Sequence, residues 1–181
     1  ICINEIHNNF SWDPLEAVKH ILNELKDNGN GGESRVSETE STPRSRFITR
    51  MIPIQATCFV SLEDIGKTAR LLSDKFILPL ISEKERVSFE VTFKRRNCSK
   101  VRREEVISAV AKVVGELGSQ GKNEKSTEFT VDLTNPDFTI MIEIWKTVCG
   151  MSVVRNCKSF RRFNLFKNKE QTHNKEQNEK S

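Results

Sequence analysis

The sequence predicts an α+β fold, an α/β sandwich in which helices pack on a mixed sheet. Three observations carry this prediction. Alternating runs such as Val87-Ser88-Phe89-Glu90-Val91-Thr92-Phe93 are half-buried strands. Stripes such as Leu62, Ile65, Ala69, Leu72 and Phe76 recur at helical spacing. The two kinds of segment interleave from residue 13 as helix, strand, helix, strand, helix, strand, strand, strand.

Each element has its own signal. Asp13-Pro14-Leu15-Glu16 is a helix start, with Asp at the cap, Pro at the first helical position and Glu three residues after the cap. Leu15, Val18, Leu22 and Leu25 form its apolar stripe, and Gly29 offers a stop. Residues 28–45 are rich in Gly, Ser, Thr and Glu and read as a flexible linker. Arg46 to Ile54 has strand composition, with Pro53 marking an edge, a bulge or the strand's end. Ser61-Leu62-Glu63-Asp64 resembles a capping box that opens the next helix, which Pro79 closes. The Val87–Phe93 strand follows. Val106, Ile107, Val110, Val113, Val114 and Leu117 then line one face of a helix ended by Gly115 or Gly118. After a polar loop come a short strand (Phe129–Leu133), a turn at Asn135-Pro136-Asp137, and a strand alternating through Phe138, Ile140, Ile142 and Ile144. A last strand runs from Val148 to Val154. The Lys/Asn/Glu/Gln tail over 167–181 is expected to be disordered.

Length and composition bound the function. A chain of 181 residues suits one domain, or one with a small companion, and 36% hydrophobic residues fits a globular protein. No apolar run approaches the ~20 residues of a membrane span, and no signal peptide heads the chain. Because it begins at Ile1 rather than Met, it reads as a fragment. Five cysteines without a C-x-x-C pair argue against a disulfide framework or a zinc ribbon. They fit reduced thiols in the nucleus, nucleolus or cytoplasm.

Charge is unevenly distributed. The net charge is +4, yet residues 1–33 carry six acids against two lysines. Residues 94–103 hold Lys94, Arg95, Arg96, Lys100, Arg102 and Arg103 with no acid. A second block holds Arg155, Lys158, Arg161 and Arg162 with Phe160 and Phe163 interleaved. The first run joins a strand to a helix start, where an arginine cluster and a helix N-terminus both attract phosphate. Nucleic acid is the expected partner, against the blander reading of a solvated basic turn. With no Tyr and most Phe on strand faces, phosphate and shape recognition fits better than a base-stacking platform. If all six cations met a duplex phosphate, the salt slope would approach about −5. Arg95→Glu combined with Arg96→Glu is expected to abolish binding and leave the melting temperature nearly unchanged.

Enzymatic signals are weak. Gly115–Lys122 fails as a phosphate loop, since Glu116 stands where Gly is needed and Asn123 replaces Ser/Thr. Asn135-Pro136-Asp137-Phe138 lacks the second Pro of the amino-methyltransferase loop. His7, His20 and His173 form no Ser/His/Asp or Cys/His pairing, and Cys98 among its cations has no base in view. No enzyme, cofactor or metal site is expected.

Several motifs together resemble a known family. Arg50-Met51-Ile52-Pro53-Ile54, Thr57-Cys58, the Arg96-Asn97 strand end and Arg102-Arg103-Glu104-Glu105-Val106-Ile107 resemble the THUMP domain. Val131-Asp132-Leu133-Thr134-Asn135-Pro136-Asp137, Val148-Cys149, Ser152-Val153-Val154 and Phe163-Asn164-Leu165 are similar to the THUMP-domain adaptors of tRNA N4-acetylcytidine formation. The resemblance implies a THUMP domain over 46–166, after an N-terminal helical part over 1–27 that is a remnant of a ferredoxin-like domain. It implies tRNA and an RNA cytidine acetyltransferase as partners, with a D-arm cytidine of serine and leucine tRNAs as the target. It also implies RNA contacts at Lys94, Arg95, Arg96, Asn97, Lys100, Arg102 and Arg103, with Arg50. The alternative is the RNA-binding half of a THUMP-bearing tRNA methyltransferase or thiolation enzyme.

Overall fold

The structure is a computed structural model that describes residues 13–27, 48–81, 85–118 and 127–164. The expected linker over 28–45 and the tail over 167–181 lie outside the described residues. The elements are α1 (Pro14–Asp27), β1 (Ala56–Phe59), α2 (Leu62–Phe76), α3 (Leu78–Ile81), β2 (Arg86–Arg96) and α4 (Arg103–Gly118). They continue with β3 (Glu128–Val131), β4 (Phe138–Trp145), β5 (Val148–Arg155) and a 3₁₀ segment (Cys157–Phe163). The sheet order is β1-β5-β4-β2-β3. β2 runs parallel to β3 and β4, while β5 is antiparallel to β1 and β4, so the sheet is mixed as expected.

Alternation assigns one sheet face to the helices. Val87, Phe89 and Phe93 of β2, Ile140, Ile142 and Ile144 of β4, and Cys149, Met151 and Val153 of β5 form the main core with α2 and α4. The helices contribute Ile65, Ala69 and Leu72, then Val106, Val110, Val114 and Leu117. Fully burying each of the larger aliphatics stabilises the fold by about 1.5–3 kcal/mol. α2 begins as its capping box predicts: the Ser61 hydroxyl accepts from the Asp64 N–H at 3.0 Å. It ends at Phe76, and Pro79 falls within the short α3 that follows.

On the second face, α1 packs through Leu15, Val18 and Leu22 against Met141, Val154, Cys157 and Phe163. The Asp13 carboxylate accepts from the Leu15 N–H at 3.0 Å, which caps α1. The expected strand over Arg46–Ile54 is corrected. Its described part forms only an isolated bridge between Arg50 and Asn164, and the edge strand is Ala56–Phe59. Pro53 has no N–H to give a ladder, and the segment instead lies across the second face. Met51 N–H donates to Phe163 O at 3.0 Å, and Gln55 N–H to Met151 O at 3.0 Å. Ile54 sits so close over Gly150 that a Cβ there would lie 2.9 Å from its Cδ1. Gln55 Oε1 accepts from Val153 N–H at 2.8 Å, satisfying β5 beyond the reach of β1.

One crossing sets the shape of the site. β2 pairs with β3 over Arg86–Phe89 and with β4 over Phe89–Arg96. The chain passes from one edge of β2 to the other through Asp132–Asp137. There Asp137 N–H donates to Ser88 O and its carboxylate accepts from Ser88 N–H at 2.8 Å. Asp132 Oδ1 accepts from Thr134 and Asn135 N–H, and these two bonds hold its pKa below the usual value. Among the described residues, the second half of β2 therefore has a strand on one edge only.

Candidate nucleic-acid interface

The half-open strand delivers the basic run. Alternation past buried Phe93 places Arg95 on the helix side and Lys94 and Arg96 on the other face. Asn97 turns the chain with a left-handed φ of 52°, a conformation Asn tolerates better than most residues. The return path is anchored by Val101, 4% exposed, and by Cys98, half-buried against the core.

Two of the six cations hold this turn together. Arg95 Nη1 donates to Val101 O at 2.5 Å, and Arg103 Nη1 donates to Phe93 O at 3.1 Å. The Arg103 guanidinium also lies 6.0 Å from the Phe93 ring centroid. Lys94, Arg96, Lys100 and Arg102 are exposed, and their side chains make no hydrogen bond or ion pair among the described residues. The cations therefore do not all project alike: two clamp the loop and four stand open.

The helix start contributes less than its position suggests. Arg102 precedes the helix and its side chain has no acceptor oxygen to cap it; the Glu105 carboxylate accepts from the Arg102 N–H at 3.1 Å instead. Glu104 and Glu105 already answer the helix dipole in the first turn. Attraction for an anion rests on the side-chain cations.

The second basic block lies elsewhere. Arg155 closes β5 at the end opposite Val148, about 24 Å away along an eight-residue strand. Lys158 Nζ donates to Leu133 O at 3.2 Å. Arg162 Nη2 lies 3.3 Å from Glu90 Oε1, and its carbonyl accepts from Arg50 Nε at 3.0 Å. Arg50 Nη1 in turn lies 3.5 Å from Glu143. Arg50 and Arg162 thus neutralise carboxylates on the sheet's second face. Arg161 is half-buried in the 3₁₀ segment with φ 51°.

Two residues escaped the sequence reading. Phe59 is 53% exposed and Trp145 is 65% exposed, both on the second face at the end where the basic run begins. The expectation that most Phe serve the strand faces describes Phe89, Phe93 and Phe138, which are buried, but leaves out these two. The signal was present: Trp145 follows the inward series Ile140, Ile142, Ile144 with opposite parity.

Among the described residues no three His, Cys, Asp or Glu side chains come together as a metal site. None of the described helices is long and apolar enough to cross a membrane. Cys58 and Cys149 oppose each other across β1 and β5 within the core. Hydrogen bonding between the two thiols holds Cys58 below the usual thiol pKa, while that interaction and burial push Cys149 up.

A family model for the THUMP domain matches residues 59–154. Mouse THUMP domain-containing protein 1 is 36% identical over 153 residues, covering 84% of this chain and 37% of that protein. The yeast protein named tRNA acetyltransferase TAN1 is 30% identical over 141 residues, covering 78% of this chain and 43% of that one. The matched part of the chain thus spans about two fifths of the length of these relatives. The solution structure of the THUMP domain of THUMP domain-containing protein 1 aligns at 33% identity and a TM-score of 0.40, over 66% of this chain and 94% of that one. With the family model matching more than half of its residues, the chain belongs to the THUMP domain family.

Proposed function

We propose that this chain is a non-catalytic tRNA-binding adaptor. It presents tRNA to an RNA cytidine acetyltransferase for N4-acetylcytidine formation in the D-arm of serine and leucine tRNAs. The observation that carries the binding part is the set of four uncommitted cations, Lys94, Arg96, Lys100 and Arg102, around a turn fixed by Arg95 and Arg103. A turn clamped by its own arginines presents the other four without first having to order the backbone. Such contacts position a nucleic acid through its phosphates and leave base selection to the partner. The acetylation part is supported by the name of the yeast relative.

The test is reconstitution. The chain, a purified RNA cytidine acetyltransferase, acetyl donor and serine tRNA are combined, and acetylcytidine is measured. The expected result is product only when chain and enzyme are both present, with loss on Lys94→Glu combined with Arg96→Glu. Acetylation by the chain alone, or by the enzyme at an undiminished rate without it, contradicts the adaptor reading.

A further inference from the structure

The open end of the second sheet face carries a cross-strand row with no role in the core. Phe59 is opposite Val148, Val148 opposite Trp145, and Trp145 opposite Arg96, on four adjacent strands. The three apolar members are 53%, 48% and 65% exposed. One row further in, Thr57, Gly150, Glu143 and Lys94 are aligned in the same way. There Ile54 covers Gly150 and Arg50 pairs with Glu143. Beyond that, α1 and the 3₁₀ segment bury Met141 and Val154. The outer row is what this covering leaves bare.

Its rim is cationic. Arg96 ends the row, Lys94 shares the same face, and Lys146 Nζ lies 5.8 Å from the centre of the Trp145 ring system. The Lys146 N–H donates to Arg96 O at 3.1 Å, joining the β4–β5 turn to the start of the basic run. Glu143, the acid nearest in register, already has a cation. Strands are spaced by about 4.8 Å, which puts Phe59 and Trp145 roughly 10 Å apart. That separation fits two splayed bases, one per ring, with the backbone passing the Arg96 and Lys94 side.

We propose that the Phe59–Val148–Trp145–Arg96 row is a stacking platform for unpaired nucleotides of the bound RNA, contiguous with the phosphate-binding run. Planar rings flanked by arginine on a sheet face suit single-stranded bases, whose faces need to be free of a duplex stack. Along a paired helix the base faces are held within the stack, so the row would meet backbone and base edges there and no free base face. The inference rests on the reading of the chain as a tRNA binder and adds which part of the RNA meets the sheet.

The test uses the 181-residue chain with Trp12→Phe, which leaves Trp145 as the one tryptophan. Fluorescence is followed while a single-stranded RNA octamer, a blunt RNA duplex and inorganic phosphate are titrated separately. Quenching by the octamer alone is expected. In parallel, Trp145→Ala should weaken tRNA binding about tenfold with the salt slope unchanged, and Trp145→Phe should restore most of the affinity. Equal quenching by the duplex, or tRNA affinity unaltered in Trp145→Ala, overturns the platform while leaving tRNA binding intact. Loss of acetyltransferase association in Trp145→Ala, with RNA affinity retained, also overturns it and makes the row a protein contact. Absence of tRNA binding by the parent chain overturns the adaptor reading and this one together. Because Trp145 is largely exposed, melting temperatures of all variants should stay close to the parent's.

Discussion

Arg95 and Arg96 are adjacent and identical in charge, yet the structure gives them different work. Arg95 donates to the carbonyl of Val101, while Arg96 is exposed in register with Trp145. Replacing Arg95 with Ala removes a partly buried, charge-assisted hydrogen bond and leaves Val101 O without that donor. Such a bond contributes about 2 kcal/mol. At about 4 °C per kcal/mol for a domain of this size, the melting temperature should fall by about 8 °C. Arg96→Ala should shift stability by no more than about 0.5 kcal/mol, near 2 °C. In tRNA titrations, Arg96→Ala should reduce the salt slope by about one contact. Thermal unfolding followed by circular dichroism, paired with those titrations, makes the comparison. Equal melting of Arg95→Ala and the parent, or a larger drop for Arg96→Ala, refutes the division into clamp and contact. The same reasoning revises the design that charge density suggests. Arg95→Glu with Arg96→Glu would mix unfolding with lost binding, whereas Lys94→Glu with Arg96→Glu keeps the clamp.

Three further outcomes follow from local geometry. Gly150→Ala sets a methyl against Ile54 and should cost about 1–3 kcal/mol, read as a lower denaturant midpoint with unchanged slope; a neutral result means that the Arg50–Gln55 segment is not held there. Ser61→Ala removes the α2 cap and should cost about 1 kcal/mol, while Ser61→Thr, which keeps a hydroxyl to accept from the Asp64 N–H and donate to its carboxylate, should recover most of it. In a Cys2→Ser background, a thiol reagent under native conditions should label half-buried Cys98 before Cys58, Cys149 and Cys157, which are buried; equal rates at all four contradict the packing of β1 against β5.

How much of this was legible in the sequence depends on the range of the interaction. β2 and α4 could be read because burial repeats every two or about 3.6 residues and each repeat is local. The Ser61 cap was legible for the same reason, since donor and acceptor lie three residues apart. β1 was misplaced because a four-residue edge strand, Ala56–Phe59, carries too little alternation to compete with the apolar run before it. The exchange of β3 for β4 along β2 depends on Ser88 meeting Asp137, 49 residues away, and no local pattern reports that. The site shows the same division. Lys94–Arg103 was conspicuous by density, but density does not say which guanidinium meets a carbonyl. Arg50 was expected as an RNA contact from the family resemblance and Arg162 from charge, and no local pattern reports that they meet Glu143 and Glu90 across the sheet. Trp145 and Phe59 lie in one row only because β5 brings their strands together.

The central claim is that Lys94, Arg96, Lys100 and Arg102 together hold RNA phosphates. The salt dependence of tRNA affinity tests it most directly. Four contacts to a duplex predict a log–log slope of about −3.6, falling to about −1.8 in the Lys94→Glu, Arg96→Glu variant. A parent slope near −1, or a slope that the double variant leaves unchanged, contradicts it.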